Sequence, residues 1–415
     1  MGKKKSIRQQ REKSNKKNIA ENSETKKDNT VESGEIPSED VQAVQTPVKP
    51  YYAGIDIVKI LAVFMVVCIH TYLYDGMYYE PITDKKFLLP IALRWITYTC
   101  VPLFMISTGY LMKNKKLSGK YYTGLIKIIV IYIIVSLICM KFNHEHFQTD
   151  FSDPWKVLKG FLEFNNANYG WYINYYISIF LCIPFLNLAF NGLETKGQKF
   201  VLVFTVTALT IFARSLYIGF DRTNQIRLLP DYLNGAWPLA YYFAGAFIRE
   251  YPPKRCVRNK LLILAALAGV TWFITKSTYN QSIENLEENQ RFLSWHFNDY
   301  GTYPVFLIAV LIFMLLFDIT TKNKVVKFIL RQISGTTLAL YMISYVFDNK
   351  YYLDFNAKYP DVYNRWTHSF EIIGKNFLLS LLCALVIHNV YNLCEFGIKK
   401  LIGKIKEKKT TEATS

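Results

Sequence analysis

The chain is short of acid, with 32 Asp and Glu against 49 Lys and Arg for a net charge of +17 over 415 residues, and it has only six His and seven Cys. Cysteines this few, with neither metal-ligand spacing nor a bridge framework, exclude a disulfide scaffold. Cys68, Cys100, Cys139, Cys182 and Cys383 lie inside long apolar runs, Cys394 ends one and Cys256 sits in a basic loop, so all read as small packing residues. Large apolar side chains are almost missing from residues 1–50, although the chain as a whole is 51% hydrophobic. The remainder must therefore be much greasier than that mean, which excludes disorder throughout and a collagen-like chain.

Residues 1–50 begin with a basic cluster from Lys3 to Lys17 and pass into a polar stretch ending at Pro47 and Pro50. Such a segment buries too little apolar surface to offset its ordering entropy, so a disordered basic cytoplasmic tail is expected. Attraction to anionic membrane lipids suits it better than nucleic acid, and no nucleic-acid partner is expected. The first apolar run starts only near Ile55 and is long enough to span, so a cleavable signal peptide is not expected.

Ten apolar runs of about 20 residues follow, the length that crosses roughly 30 Å of hydrocarbon. They lie near residues 53–73, 88–112, 121–141, 170–190, 200–220, 231–249, 260–275, 301–319, 327–347 and 375–396. The sixth is interrupted by Gly235, Pro238 and Gly245, and the seventh is short. Alternate connections test the count. Those starting at Lys113, Asn191, Tyr251 and Thr321, and the end from Lys399, are rich in Lys and Arg. The others carry the acids: Asp75, Glu80 and Asp84; Glu145, Asp150 and Asp153; Glu284, Glu287 and Glu288; Asp354, Asp361 and Glu371. The short loop at Asp221 is the exception. This alternation predicts an all-α polytopic membrane bundle of about ten spans with both termini cytoplasmic. The membrane domain is expected over 51–398 and a second basic cytoplasmic tail over 399–415.

Ionisable groups inside spans are costly, so each is a functional candidate. Asp56 and Lys59 sit three apart at the start of the first span and His70 lies eleven beyond Lys59. Eleven residues turn the helix back to within about 20° and rise about 16 Å, so Lys59 and His70 share a face. An interfacial Asp56–Lys59 pair and a His70 that merely satisfies a neighbouring carbonyl is the bland alternative. Trp171, Tyr172 and Tyr175 are placed at the outer mouth of the fourth span, as a sugar-stacking surface or an aromatic belt. His144-Glu145-His146 is read as an exposed polar loop rather than a metal site, and no metal is expected. His296 and His368 fall in outward loops. His388 is expected to hydrogen-bond a neighbouring helix, and Arg214 either shares a cavity with Arg94 or lies near the outer end of its span.

The pattern of the first span, Asp56, Lys59 and then His70 after ten intervening residues, resembles the opening signature of the acyltransferase 3 family of integral membrane acyltransferases. Arg94 followed by VPLFMISTGYL from Val101, GWYINYY from Gly170 with Pro184 and Asn187 beyond, and YYFAGAFIR from Tyr241 are similar to later family motifs in the same order. Two positions depart: Gly124 stands where many members have the first of two Arg, leaving only Lys127, and Ser344 stands where a segment from Ser334 often ends in His.

The resemblance implies acyl transfer from cytoplasmic acyl-CoA, acetyl-CoA foremost, to a hydroxyl of a cell-surface glycan or lipid-linked acceptor at the plasma membrane. Acyl-CoA is then a co-substrate and no bound cofactor is implied. It implies Lys59, Lys127 and Asp56, with Lys113, Lys115 and Lys116, as the donor site. It implies His70 as general base or acyl carrier, and Arg94 as oxyanion stabiliser unless it pairs with Asp56. The rival expectation is a transporter or flippase exporting a surface glycan or moving a small amino acid, because buried charges and broken spans also mark transport paths.

Overall fold

A computed structural model describes residues 51–218, 226–284, 286 and 297–414, without side chains at 217–218, 226–227 and 404–414. The tail over 1–50, together with Asp221, Glu287, Glu288 and His296, lies outside the described residues. Apart from a two-residue antiparallel ladder, Tyr217–Ile218 against Ile226–Arg227, the described secondary structure is helical. The long helices are α1 (Ala53–Tyr74), α2 (Leu88–Thr97), α3 (Cys100–Met112), α4 (Gly124–Phe147), α5 (Pro154–Leu162), α6 (Trp171–Asn191), α7 (Lys196–Thr207), α8 (Trp237–Glu250), α9 (Val257–Glu284), α10 (Tyr303–Leu316), α11 (Lys324–Lys358) and α12 (Ser369–Thr414).

Among the described residues, seven helical stretches are long and apolar enough to cross a membrane: α1, α2 with α3, α4, α6, α7 with its extension to Ser215, α9, and α12 as far as Gly403. The short seventh run thus becomes a 28-residue helix. Runs six, eight and nine fall below the criterion. Helices α8 and α10 have 14 residues each, and the 35-residue α11 is too polar. The first two fall short by length, and burial explains the polarity of α11. Ten of the fourteen α8 residues are buried, and α11 buries Ser334, Thr336, Thr337, Ser344 and Asp348. Interior helices meet protein rather than hydrocarbon, so they do not need an apolar surface all round.

Close backbone approach fixes this interior. A Cβ on Gly109 of α3 would collide with the Tyr242 carbonyl oxygen of α8, and one on Gly245 of α8 would collide with the Ile106 carbonyl oxygen of α3. The two glycines allow the helices into mutual backbone contact. At Gly54 the α1 backbone meets the end of α10, where Gly54 N–H donates to the Ile319 carbonyl (2.9 Å).

Prolines break or bend the spans where the freed carbonyl finds another donor. Pro102 cannot bond the Tyr98 carbonyl, so the second span splits into α2 and α3 at Tyr98 and Thr99, and Cys100 Sγ lies 4.0 Å from that oxygen. Pro184 leaves the Phe180 carbonyl free inside α6, and Tyr121 Oη donates to it (2.5 Å).

Helices α1 and α11 run parallel in strict register. Ser334 Oγ donates to Asp56 Oδ1 (2.6 Å) and His70 Nδ1 lies 3.0 Å from Asp348 Oδ2, with partners 278 positions apart in both pairs. The interval between the pairs spans about 21 Å of helix. Helix α8 runs from the His70 end, where Trp237 meets Tyr300, to the Lys59 end, where Glu250 binds Lys113 and Lys199. Helix α10 runs the same way, from Tyr303, bonded to Ser215 Oγ, to the Ile319 contact with α1. Helix α12 continues unbroken through residue 398. Three of the cysteines, Cys68, Cys100 and Cys139, are buried, whereas Cys182, Cys256, Cys383 and Cys394 are exposed, which corrects the reading of all seven as packing residues.

Asp75, expected in an outer loop, is fully buried just past α1. Its Oδ1 accepts from Met77 N–H (2.8 Å), and Arg365 Nη1 donates to its carbonyl (2.7 Å). Burial pushes the carboxyl up to about 7, against partial compensation from the Met77 bond and Arg365. The folded chain therefore keeps a proton that the unfolded chain releases near pH 4, so this group's contribution to stability falls as pH rises from about 4 to 7. Asp75→Asn keeps the acceptor for Met77. In thermal unfolding at pH 5 and pH 8 it is expected to flatten that decline and to gain a few kcal/mol at pH 8.

Candidate active site

His70 and Asp348 form the centre. Nothing but a donor satisfies a carboxylate oxygen, so His70 Nδ1 carries a proton toward Asp348 Oδ2, an arrangement that in the neutral imidazole leaves Nε2 its lone pair. Two more donors converge on the same carboxylate, Tyr169 Oη on Oδ2 (2.9 Å) and Asn376 Nδ2 on Oδ1 (2.9 Å). Tyr169 also packs against the imidazole, its ring tilted by 43° and the ring centres 4.1 Å apart. The His70 side chain is 14% exposed while that of Asp348 is wholly enclosed, so the imidazole opens onto a cavity and its partner does not. Helix α11 builds this from a stripe, Ser334, Thr337, Tyr341 and Asp348, whose intervals of three, four and seven keep one face.

The cavity at His70 has a volume of about 180 Å³, and its walls include Tyr78, Tyr98, Trp171, Tyr300 and Tyr341. Trp171 belongs to it and stacks on Tyr300, ring centres 5.9 Å apart. Tyr172 does not lie at the outer mouth: it is buried and lines a second cavity deeper in the bundle, a correction to its expected place. Tyr175 is exposed, packs on Trp237 and lines neither cavity.

Arg94 is buried behind the His70 cavity, not in its wall. Its Nε donates to Tyr78 Oη (3.1 Å), its Nη2 to Asn298 Oδ1, and the guanidinium lies over the Trp95 and Tyr98 rings at 4.1 and 4.2 Å. The Asp56 partnership considered for it does not form, since Asp56 bonds Ser334. Arg214 pairs with Asp299 (3.1 Å), next to the Asn298 that holds Arg94.

Toward the other end, Lys59, Ser107, Thr108, Tyr172, Thr337 and Tyr341 help to line a cavity of about 230 Å³. Lys59 Nζ donates to Ser334 Oγ (2.9 Å), so Asp56 and Lys59 are linked through that hydroxyl rather than directly. Beyond it opens a vestibule of about 680 Å³ whose walls carry Lys115, Lys116, Lys120 and Lys127 against Glu395. Tyr341 lines both the His70 cavity and the middle one, and Met112 lines both the middle one and the vestibule. Lys113, expected in the cationic patch, is instead paired with Glu250 beside Lys199. Lys127 Nζ lies 3.5 Å from Asn392 Oδ1.

Two other candidates lie against backbone carbonyls. His144 Nδ1 lies 3.1 Å from the Thr149 carbonyl, and His368 Nδ1 lies 2.9 Å from the Asn364 carbonyl with its ring stacked on Tyr359. His388 packs against Gly335, and its Nδ1 has no hydrogen-bond partner among the described residues, contrary to expectation. Among the described residues no group of three or more His, Cys, Asp or Glu could hold a metal ion. Sequence reasoning missed Asp348, Tyr169, Asn376 and Tyr341. The fourteen-residue interval shared by Asp56–His70 and Ser334–Asp348 was the available signal.

An enclosed carboxylate paired with a histidine inside an apolar helical bundle, with a basic vestibule toward the opposite end, marks a multi-pass membrane protein with a polar site in its interior. Residues 52–388 match the acyltransferase domain of the acyltransferase 3 family, and the chain belongs to that family. No curated protein and no solved structure matches it.

Proposed function

We propose that the protein is a membrane O-acyltransferase that moves an acyl group, acetyl in the simplest case, from acyl-CoA to a hydroxyl of a cell-surface or lipid-linked glycan at the plasma membrane. The observation that carries this reading is the succession of cavities from the basic vestibule past Lys59 to His70. Nucleotide phosphates suit the four vestibule lysines. The pantetheine arm follows the middle cavity, which bridges much of the roughly 16 Å rise from Lys59 to His70. His70 Nε2 takes the proton of the acceptor hydroxyl as its oxygen attacks the thioester carbonyl, and Asp348 steadies the imidazolium that results. The acceptor stacks on Trp171 and Tyr300, aromatic walls of the small outer cavity.

Ten crossings with both termini on the cytoplasmic side fit this reading. The parallel course of α1 and α11 needs an even number of crossings between their starts, and that number stays even when α8 and α10, which both run from the His70 end to the Lys59 end, are counted together as crossings. The basic vestibule and the Lys-rich connections then share the cytoplasmic face, with the tails at 1–50 and 399–415 set against anionic lipid.

The direct test uses protein in lipid vesicles with labelled acetyl-CoA, with and without surface polysaccharide. Label in the polymer together with CoA release is expected. Polymer crossing the vesicle without CoA release would mean transport. Reversing two vestibule charges, Lys115→Glu with Lys116→Glu, is expected to raise KM for acetyl-CoA about tenfold or more, with kcat little changed and the effect shrinking at high salt. Steady-state kinetics at two ionic strengths check it.

A further inference from the structure

Tyr341 is buried, and its hydroxyl has no hydrogen-bond partner among the described residues. Leaving such a group unsatisfied costs about 1–3 kcal/mol, so its retention calls for a partner that arrives later. The ring is held between Tyr172, at 5.7 Å and edge-on, and Tyr169, at 6.2 Å, which offers the phenol rings rather than acceptors on those two sides. Tyr169 is also the residue that donates to Asp348. Tyr341 is the shared wall of the middle cavity and the His70 cavity, the place where a donor coming from the vestibule must meet the base.

We infer that Tyr341 is a catalytic residue whose Oη–H donates to the thioester carbonyl oxygen of the acyl donor and holds the oxyanion formed on it; the inference rests on the acyl-transfer reading of the site. In the step, the acceptor oxygen bonds to the carbonyl carbon and its proton passes to His70 Nε2. The carbonyl π pair moves to oxygen and is met by Tyr341. Collapse of that adduct breaks the C–S bond, and the departing CoA sulfur takes the proton back from His70. The donor is fixed on a helix and pre-aimed, so it needs no rearrangement when charge develops.

Tyr341→Phe removes only the hydroxyl. The expected kcat for CoA release from acetyl-CoA is about 100- to 1,000-fold lower, with KM little changed. Thermal stability should be equal or higher, because a group unsatisfied in the resting protein is gone. A second readout is independent of turnover: the infrared carbonyl band of bound [1-¹³C]acetyl-CoA should be shifted to lower frequency in the natural protein and in His70→Ala, and unshifted in Tyr341→Phe. A Tyr341→Phe protein with the shifted band and a rate within a few-fold of the natural one overturns the assignment while leaving acyl transfer standing. A natural protein that neither shifts the band nor releases CoA overturns both.

Discussion

Asp348→Asn is expected to slow acyl transfer by about 10³- to 10⁴-fold, the scale seen when the carboxylate behind a catalytic imidazole is made an amide. The carboxylate accepts from His70, Tyr169 and Asn376 and offers no proton in return. An amide of the same shape has one acceptor and one donor. With Asn376 in its present orientation it cannot meet all three donors, and wherever its NH₂ turns toward Nδ1 the imidazole must carry its proton on Nε2 instead. A protonated Nε2 cannot accept from the attacking hydroxyl. Donor KM should hold, because the vestibule is untouched. CoA release under saturating acetyl-CoA measures the effect, and a rate within tenfold of the natural protein would remove Asp348 from the mechanism.

Gly245→Val is expected to prevent the bundle from assembling. A side chain there strikes the Ile106 carbonyl oxygen and the Tyr110 backbone nitrogen, main-chain atoms that cannot turn aside as a side chain would. Overpacking costs about 1–3 kcal/mol, and more where backbone must move. Gly109→Val meets the Tyr242 backbone in the same way. The control is Gly269→Ala in α9, where an added Cβ meets nothing within 4 Å. Monodispersity in detergent and thermal unfolding separate the cases. A Gly245→Val protein as stable as the control would show that α3 and α8 can part without loss.

These glycines also show what sequence reading could and could not reach. ISTGY and FAGA stood out as family-like segments, but their meaning is a helix–helix contact, which no single segment discloses. The face shared by Lys59 and His70 followed from helical period alone, and both side chains do reach α11. Asp348 was lost because the ninth apolar run was ended at residue 347, one position short of the carboxylate. Hydropathy cannot place a buried acid on a stretch enclosed by protein, as α11 is from residue 332 to 349. The split at Tyr98 was legible in Pro102 in principle, since the missing N–H names the carbonyl it frees. Tyr172 was misplaced for the opposite reason: beside Trp171 and Tyr175 it looks interfacial, yet successive helical residues point about 100° apart, so neighbours in sequence can line different cavities.

The account stands on His70 as the group that moves the proton. The measurement that addresses it most directly is the rate of CoA release from acetyl-CoA by the natural protein and by His70→Ala, each inserted in lipid and supplied with surface polysaccharide. Release by His70→Ala is expected to fall to background while labelled donor still binds. Release and acceptor labelling by His70→Ala at the natural rate would contradict the account.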